Sequence, residues 1–244
     1  MSPATTNGDQ PYIVEQDPRW TAVDAFQFPH LFPPTRPHHD AITHASTNSI
    51  AKGLDDICVA PSQGKFLSIQ CQIMDAKHVL EIGTLGAYST IWMASANPDT
   101  KVVTIEIDPA TAEIARENIR YAKMEDRIEL IVGAALDVLP SLAADVSAGR
   151  RPPFDFSFID ADKVNALNYF NSAVGMTRKR GVVYVDNMVR KGLLAEEGLA
   201  VTDENVRGIR EAVVGVGRDE RVEGVVLQTV GEKNYDGFLM AVVK

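Results

Sequence analysis

From Lys77 onward the chain alternates between two periods. The runs HVLEIG, KVVTIEID, RIELIVG, FDFSFID and GVVYVDN are short, apolar and rich in β-branched residues, and they read as strands. Helical patterns separate the first four. DPATAEIARENIRYAK places Ala112, Ala115, Ile119 and Ala122 on one face at spacings of three and four. Strand–helix alternation predicts parallel strands with helices on both faces, because parallel neighbours need a crossover long enough to hold a helix. The tail RVEGVVLQTVGEKNYDGFLMAVVK breaks the alternation. Its two strand-like runs, joined by about eight polar or turn-prone residues, predict a closing antiparallel hairpin.

The first part of the chain reads differently. Seven of the 13 prolines fall in residues 1–37, a density that opposes regular helix and denies a central strand its donors. Residues 1–37 are therefore expected to form an arm, poorly ordered to about residue 20. Phe26, Phe28, Leu31 and Phe32 give it apolar side chains with which to pack on the body. Residues 38–51 predict a short helix, and APSQGKFLSIQCQIMDA a stronger one with Pro61 in its first turn. Residues 38–244 then make a single α/β domain, a length that supports a sizeable core.

Composition narrows the partners. The chain is 45% hydrophobic and 23% charged, ordinary for a globular protein. A net charge of −9 argues against nucleic acid, which needs clustered Lys and Arg. Two cysteines, Cys58 and Cys71, make neither a disulfide framework nor a zinc site. No apolar run approaches the roughly 18 residues of a membrane span. Asp9, Glu15 and Asp17 precede the first arginine, Arg19, which fits neither a secretory signal nor an Arg-rich transit peptide. A cytoplasmic protein is expected.

The candidate chemistry falls at strand ends, where doubly wound sheets bind ligands. After the first strand, LEIGTLGAYST supplies Glu81, then Gly83 and Gly86 where the backbone turns into a helix. The full G-x-G-x-x-G spacing of a dinucleotide site is missing. The second strand ends in TIEID, whose Glu106 stands 23 positions after Gly83, about where an acid meets ribose hydroxyls in such folds. Ala134 or Ala135, after the third strand, is placed to floor an adenine pocket. The fourth and fifth strands end in FID and YVDN. If they are neighbours, Asp160, Asp186 and the amide of Asn187 converge, and three hard oxygen donors suit Mg²⁺ or a similar cation. Asp162 and Lys163 border that point.

These segments resemble the cation-dependent class I S-adenosylmethionine O-methyltransferases of the catechol and caffeoyl-CoA type, from about APSQGKFL to the C-terminus. LEIGTLGAYS is similar to the family's cofactor loop, TIEID to its ribose-binding segment, DADKVNALNY with VDNM to its metal and catalytic segments, and NYDGFLMAVV to its terminal hairpin. The resemblance implies a Rossmann-like fold and methyl transfer from S-adenosylmethionine to one hydroxyl of a small vicinal dihydroxy aromatic. By position, Asp160, Asp186 and Asn187 would hold a divalent cation (Mg²⁺, or Mn²⁺ or Ca²⁺ in its place), and Lys163 would be the general base. Val59, Glu81, Gly83, Ser89, Glu106, Ala135, Asp160 and Asp162 would form the cofactor pocket. Asp236, by a looser transfer, would face the acceptor; apart from the resemblance, the charge of Arg190 is placed to attract an acidic one. A homodimer is implied as well. The loop MVRKGLLAEEG lacks the tryptophan of the plant enzymes, a departure that bears on a CoA thioester acceptor. A nicotinamide oxidoreductase, a non-catalytic cofactor binder and a carboxylate methyltransferase are the competing readings.

Overall fold

A computed structural model describes residues 17–244. Seven strands form one sheet in the order β3-β2-β1-β4-β5-β7-β6. The strands are β1 (His78–Ile82), β2 (Lys101–Glu106), β3 (Ile128–Val132), β4 (Phe154–Ile159), β5 (Thr177–Val185), β6 (Val222–Val230) and β7 (Tyr235–Val243). The first five pair in parallel, while β7 runs antiparallel between β5 and β6. Strand order reverses between β1 and β4, the switch point at which open α/β sheets take their ligands.

The helices are α1 (Pro18–Leu31), α2 (His39–Ala51), α3 (Pro61–Ile73), α4 (Tyr88–Ala94), α5 (Pro109–Tyr121), α6 (Ala135–Ser147), α7 (Ala166–Met176) and α8 (Glu204–Arg218). The period-2 pattern of the strands divides the core into two layers. Val79, Phe156, Phe158, Val182 and Tyr184 pack beneath α2–α5 with Leu67 and Trp92. Leu80, Ile82, Ile105, Ile159 and Val185 pack on the other face with Leu139, Phe170 and Ile209. On α5 the expected face holds: Ala112, Ala115 and Ile119 are buried, and Ala122 packs at the edge of the same core.

Three boundaries differ from the sequence expectation. Within the expected arm, residues 18–31 are a helix; residues 1–16 lie outside the described region. Proline is tolerated here because Pro18 opens α1, where its missing N–H would have no partner, and Asp17 caps the end by accepting from Arg19 N at 2.9 Å. Pro29 sits in the last turn, and the helix stops two residues later. Of the four apolar residues expected to pack on the body, Phe28 and Phe32 do so, 6.4 and 4.6 Å from the Trp92 ring, whereas Phe26 and Leu31 are exposed.

The fifth strand starts earlier than the apolar run, at Thr177, immediately after α7. Its pairing with β4 shifts register between Phe154 and Phe156. The hairpin connection is four residues, Gly231–Asn234, rather than eight, because Gln228, Thr229 and Val230 pair with Gly237, Asp236 and Tyr235. Main-chain pairing at an edge strand does not require apolar side chains. Among the described residues no helix is long and apolar enough to cross a membrane.

Candidate active site

The residues singled out at strand ends occupy one row. Gly83 N donates to Ile105 O, Asp160 N to Ile82 O and Asp186 N to Ile159 O, at 2.8–3.0 Å. Gly83, Asp160 and Asp186 thus stand one step past the last paired residues of β1, β4 and β5. The row was legible because three apolar runs each stop at a Gly or Asp, and parallel pairing brings those stops level.

Two cavities open at this edge. The smaller, about 620 Å³, is lined by Val59, Gly83, Ser89, Glu106, Ala135, Asp160, Asp162 and Lys163, among others. The larger, about 900 Å³, holds Asp186, Arg190 and Asp236. Asp160 and Asn187 lie in the walls of both. So do Ile57, Cys58 and Val59, from the segment that leads into α3.

Around the smaller cavity the backbone is shaped for close approach. Gly83 has φ of 96°, and a Cβ there would lie 2.1 Å from Asp160 O. Leu85 and Ala87 follow with φ of 48° and 61°. Glu106 braces this loop: it accepts from Leu85 N at 2.9 Å and from Asp108 N at 3.0 Å.

Glu81 is not in the cavity wall. It lies beneath, fully buried, accepting from Ser89 Oγ and Thr104 Oγ1 at 2.6 Å each and from Thr90 Oγ1. Burial pushes its carboxyl up to about 7, against the pull of the three hydroxyls. Its contact with the cavity is through Ser89. Asp162 accepts from Asn165 N at 3.1 Å and from the Tyr169 hydroxyl, which fixes the carboxylate on the cavity rim.

At the boundary, Lys163 is 6% exposed and its Nζ donates to Asp160 Oδ1 at 3.2 Å. Asp186 is 5% exposed. Burial first, and Asp160 next, hold its carboxyl well above the usual carboxylate range; Lys163 opposes them. Asn187, in a left-handed conformation with φ of 53°, donates from Nδ2 to Asp236 Oδ2 at 3.3 Å. Among the described residues no group of three or more His, Cys, Asp and Glu is arranged to hold a metal ion. The expected trio contains two carboxylates and one amide.

Asp236 carries a second task. Its Oδ1 accepts from the backbone N of Val189, Arg190 and Gly237, at 3.2, 2.7 and 2.8 Å. This holds the turn through Arg190 and Lys191, whose φ angles are 48° and 58°.

The larger cavity has an aromatic wall that the sequence did not announce. Phe238 stacks on Tyr184 at 4.3 Å, and Phe66 lies 5.7 Å from Phe238. Gln63 Nε2 donates to the Tyr184 hydroxyl at 3.3 Å. Burial, with Asp186 nearby, raises that hydroxyl's pKa far above its usual value and keeps it protonated. In sequence Tyr184 and Phe238 read as core residues of their strands. No signal separated their wall-forming edges from the core.

Comparison with known proteins agrees with this architecture. The family model described as O-methyltransferase matches residues 37–241. The O-methyltransferase imqG of Aspergillus flavus is 52% identical, with all of both chains covered. A catechol O-methyltransferase of Mycobacterium tuberculosis is 40% identical over 95% of this chain and 99% of its own. The crystal structure of an O-methyltransferase from Bacillus cereus, in complex with SAH, superposes with a TM-score of 0.85 at 41% identity, covering 93% of this chain and 99% of that one. With a strand order that reverses beside the glycine loop and a family match across most of its length, the chain belongs to the class I S-adenosylmethionine-dependent O-methyltransferases.

Proposed function

We propose that the enzyme methylates one hydroxyl of a vicinal dihydroxy aromatic, with S-adenosylmethionine in the smaller cavity and the acceptor in the larger. The observation that carries this reading is the shared wall. Asp160 and Asn187 border both cavities, so an acceptor oxygen held there faces the donor's methyl directly. The aromatic wall of Phe66, Tyr184 and Phe238 offers a planar ring the offset and tilted contacts it prefers. Relatives named as catechol and caffeoyl-CoA O-methyltransferases support the acceptor class. Family membership leaves no place for the nicotinamide oxidoreductase reading.

Asp160, Asp186 and Asn187 would hold a divalent cation. The donor set fits one: two carboxylates stand close enough that Asp160 opposes the ionisation of Asp186, and in the cation-free site Lys163 pairs with Asp160. Hard oxygen donors with an excess of negative charge suit Mg²⁺, Mn²⁺ or Ca²⁺. When bound, the sulfonium supplies an electrophilic methyl group and the cation a charge that favours a phenolate over a phenol of pKa about 10.

This chain's own residues would do the rest. Asp160 and Asn187 set where the acceptor oxygen sits. Glu106, already anchored by two amides, would accept from the ribose hydroxyls. In its neutral amine form Lys163 Nζ, 3.2 Å from Asp160 Oδ1, would take the proton from the acceptor hydroxyl. Orientation of this kind contributes up to roughly 7–11 kcal/mol. A homodimer belongs to the same reading, and the exposed Val23, Phe26 and Leu31 of α1 support it.

The test is cofactor-dependent methylation of simple catechols, caffeoyl esters and polyphenols, each with Mg²⁺, Mn²⁺ or EDTA. Turnover of a vicinal diol that EDTA abolishes is expected. Equal turnover of monophenols, or turnover indifferent to EDTA, overturns the chelation reading and returns an aromatic carboxylate acceptor to consideration.

A further inference from the structure

The larger cavity is roofed on one side by the hairpin tip. Its wall includes Leu227 through Asn234 and, opposite, Asp56 through Ala60. Among the described residues, two fastenings of the tip stand out. Glu232 N donates to Asp24 Oδ2 at 2.8 Å, 208 positions away in sequence. Lys233 Nζ meets Asp56 Oδ1 at 2.8 Å and Cys58 O at 2.7 Å. The first fastening ties the tip to α1. The second spans the mouth from the hairpin to the segment before α3.

The helix is built to offer Asp24 in that place. Asp24 and Phe28 are four apart and share one face of α1. Phe28 docks that face beside Phe32 and Trp92. Gln27 Nε2 donates to Asp24 Oδ1 at 3.0 Å, which turns the other carboxylate oxygen to the hairpin. Gly231 lets the turn come close: a Cβ there would lie 3.0 Å from Asp24 Oδ2. An edge hairpin with an exposed outer strand has little packing of its own to fix its tip; Val225, Leu227 and Val230 are 47–54% exposed. These polar bonds therefore decide where the tip sits.

We propose that Asp24 and Lys233 are positioning residues for the methyl acceptor, which hold the hairpin tip across the mouth of the larger cavity and so select acceptors by size. The inference rests on the reading that this cavity takes the acceptor. It gives the N-terminal helix a part in acceptor choice, although α1 contributes no residue to the cavity wall.

The experiment compares a single-ring catechol with a three-ring vicinal diol for wild type, Asp24→Ala, Asp24→Asn and Lys233→Met, each with saturating S-adenosylmethionine and Mg²⁺. Releasing the tip should widen the mouth. Asp24→Ala and Lys233→Met should raise the ratio of kcat/KM for the large over the small acceptor at least fivefold. The change should lie in KM, with kcat for the small one within twofold in Asp24→Ala, whose side chain lies outside the cavity wall. Asp24→Asn keeps an oxygen that accepts from Glu232 N and should restore the wild-type ratio. Hydrogen exchange at the Glu232 amide should lose protection in Asp24→Ala and keep it in Asp24→Asn. An unchanged ratio in both Asp24→Ala and Lys233→Met overturns the proposal, as does a fall in kcat shared equally by both acceptors. A wild type that methylates neither diol sinks the acceptor reading itself, and the selection with it.

Discussion

Lys163 is the residue whose surroundings changed most between sequence and structure. In sequence it stands three positions past Asp160, and a solvated surface lysine is the plain alternative. Such a lysine contributes about 0–1 kcal/mol through an ion pair and nothing to chemistry. The structure removes that alternative by burial: the side chain is 7% exposed and its amine meets the carboxylate at the boundary of the two cavities. Nothing in the local sequence signals the burial, and α8 packs against the Lys163 backbone from 45 positions away. Gly208 packs so closely that a Cβ there would lie 2.1 Å from Lys163 O. Lys163→Met keeps length and removes the amine. If Lys163 is the general base proposed above, the variant should show a fall in kcat of roughly 10²–10⁴, with S-adenosylmethionine affinity by calorimetry nearly unchanged. A variant within threefold of wild type from pH 6 to 9 would leave deprotonation to the metal site alone.

Elements were legible wherever period and stop signal agreed. The five parallel strands and the α5 face followed from apolar runs and spacings, since both faces of the sheet are covered and each run had to be buried. Legibility failed where polar side chains and backbone pairing part company, in the charged start of β5 and the polar end of β6. It failed again at α1, where the count of prolines outweighed their positions. The glycine loop illustrates the gain from structure. A glycine after a strand is usually just a turn, but Gly83 combines φ of 96° with a backbone oxygen 2.1 Å from where a Cβ would be. Backbone cannot yield as the end of a flexible side chain can. Gly83→Ala therefore adds backbone strain of about 1–3 kcal/mol and pushes the end of β4, with Asp160, away from the glycine loop. The expected result is a lower Tm together with at least a tenfold loss of S-adenosylmethionine affinity. A lower Tm with unchanged affinity would make Gly83 a folding residue only.

At the scale of the whole molecule, the sheet edge concentrates charge that folding alone does not favour. Glu81 is held up to about 7 by burial, and Asp186 is raised by burial and by Asp160. A carboxyl whose folded pKa lies above its unfolded value binds protons more tightly when folded. Its favourable share of stability is present at pH 4 and is lost as pH rises through the folded pKa. The metal-free enzyme should accordingly lose Tm between pH 5.5 and 8, on the order of 5 °C for a chain of this size. Lower pH is a poor window, because Asp155, held below the usual range by Arg178 and the amides of His78 and Lys77 against the opposing effect of burial, starts to lose its partners there. A cation that binds only the folded site restores stability by mass action, about 2.7 kcal/mol at one hundred times its Kd. Mg²⁺ should thus raise Tm at pH 8 and do much less at pH 5.5, where protons compete for the same oxygens. Asp186→Asn removes one raised carboxyl and one proposed ligand together. It should flatten the pH dependence of the metal-free Tm and abolish the Mg²⁺ shift while leaving Glu81's contribution in place. Differential scanning calorimetry of the two proteins at pH 5.5 and 8, with and without Mg²⁺, reads all of this without turnover. A Mg²⁺ shift that survives in Asp186→Asn would move the cation to other oxygens. A wild-type Tm indifferent to both pH and Mg²⁺ would mean that the buried carboxylates are satisfied by the protein alone.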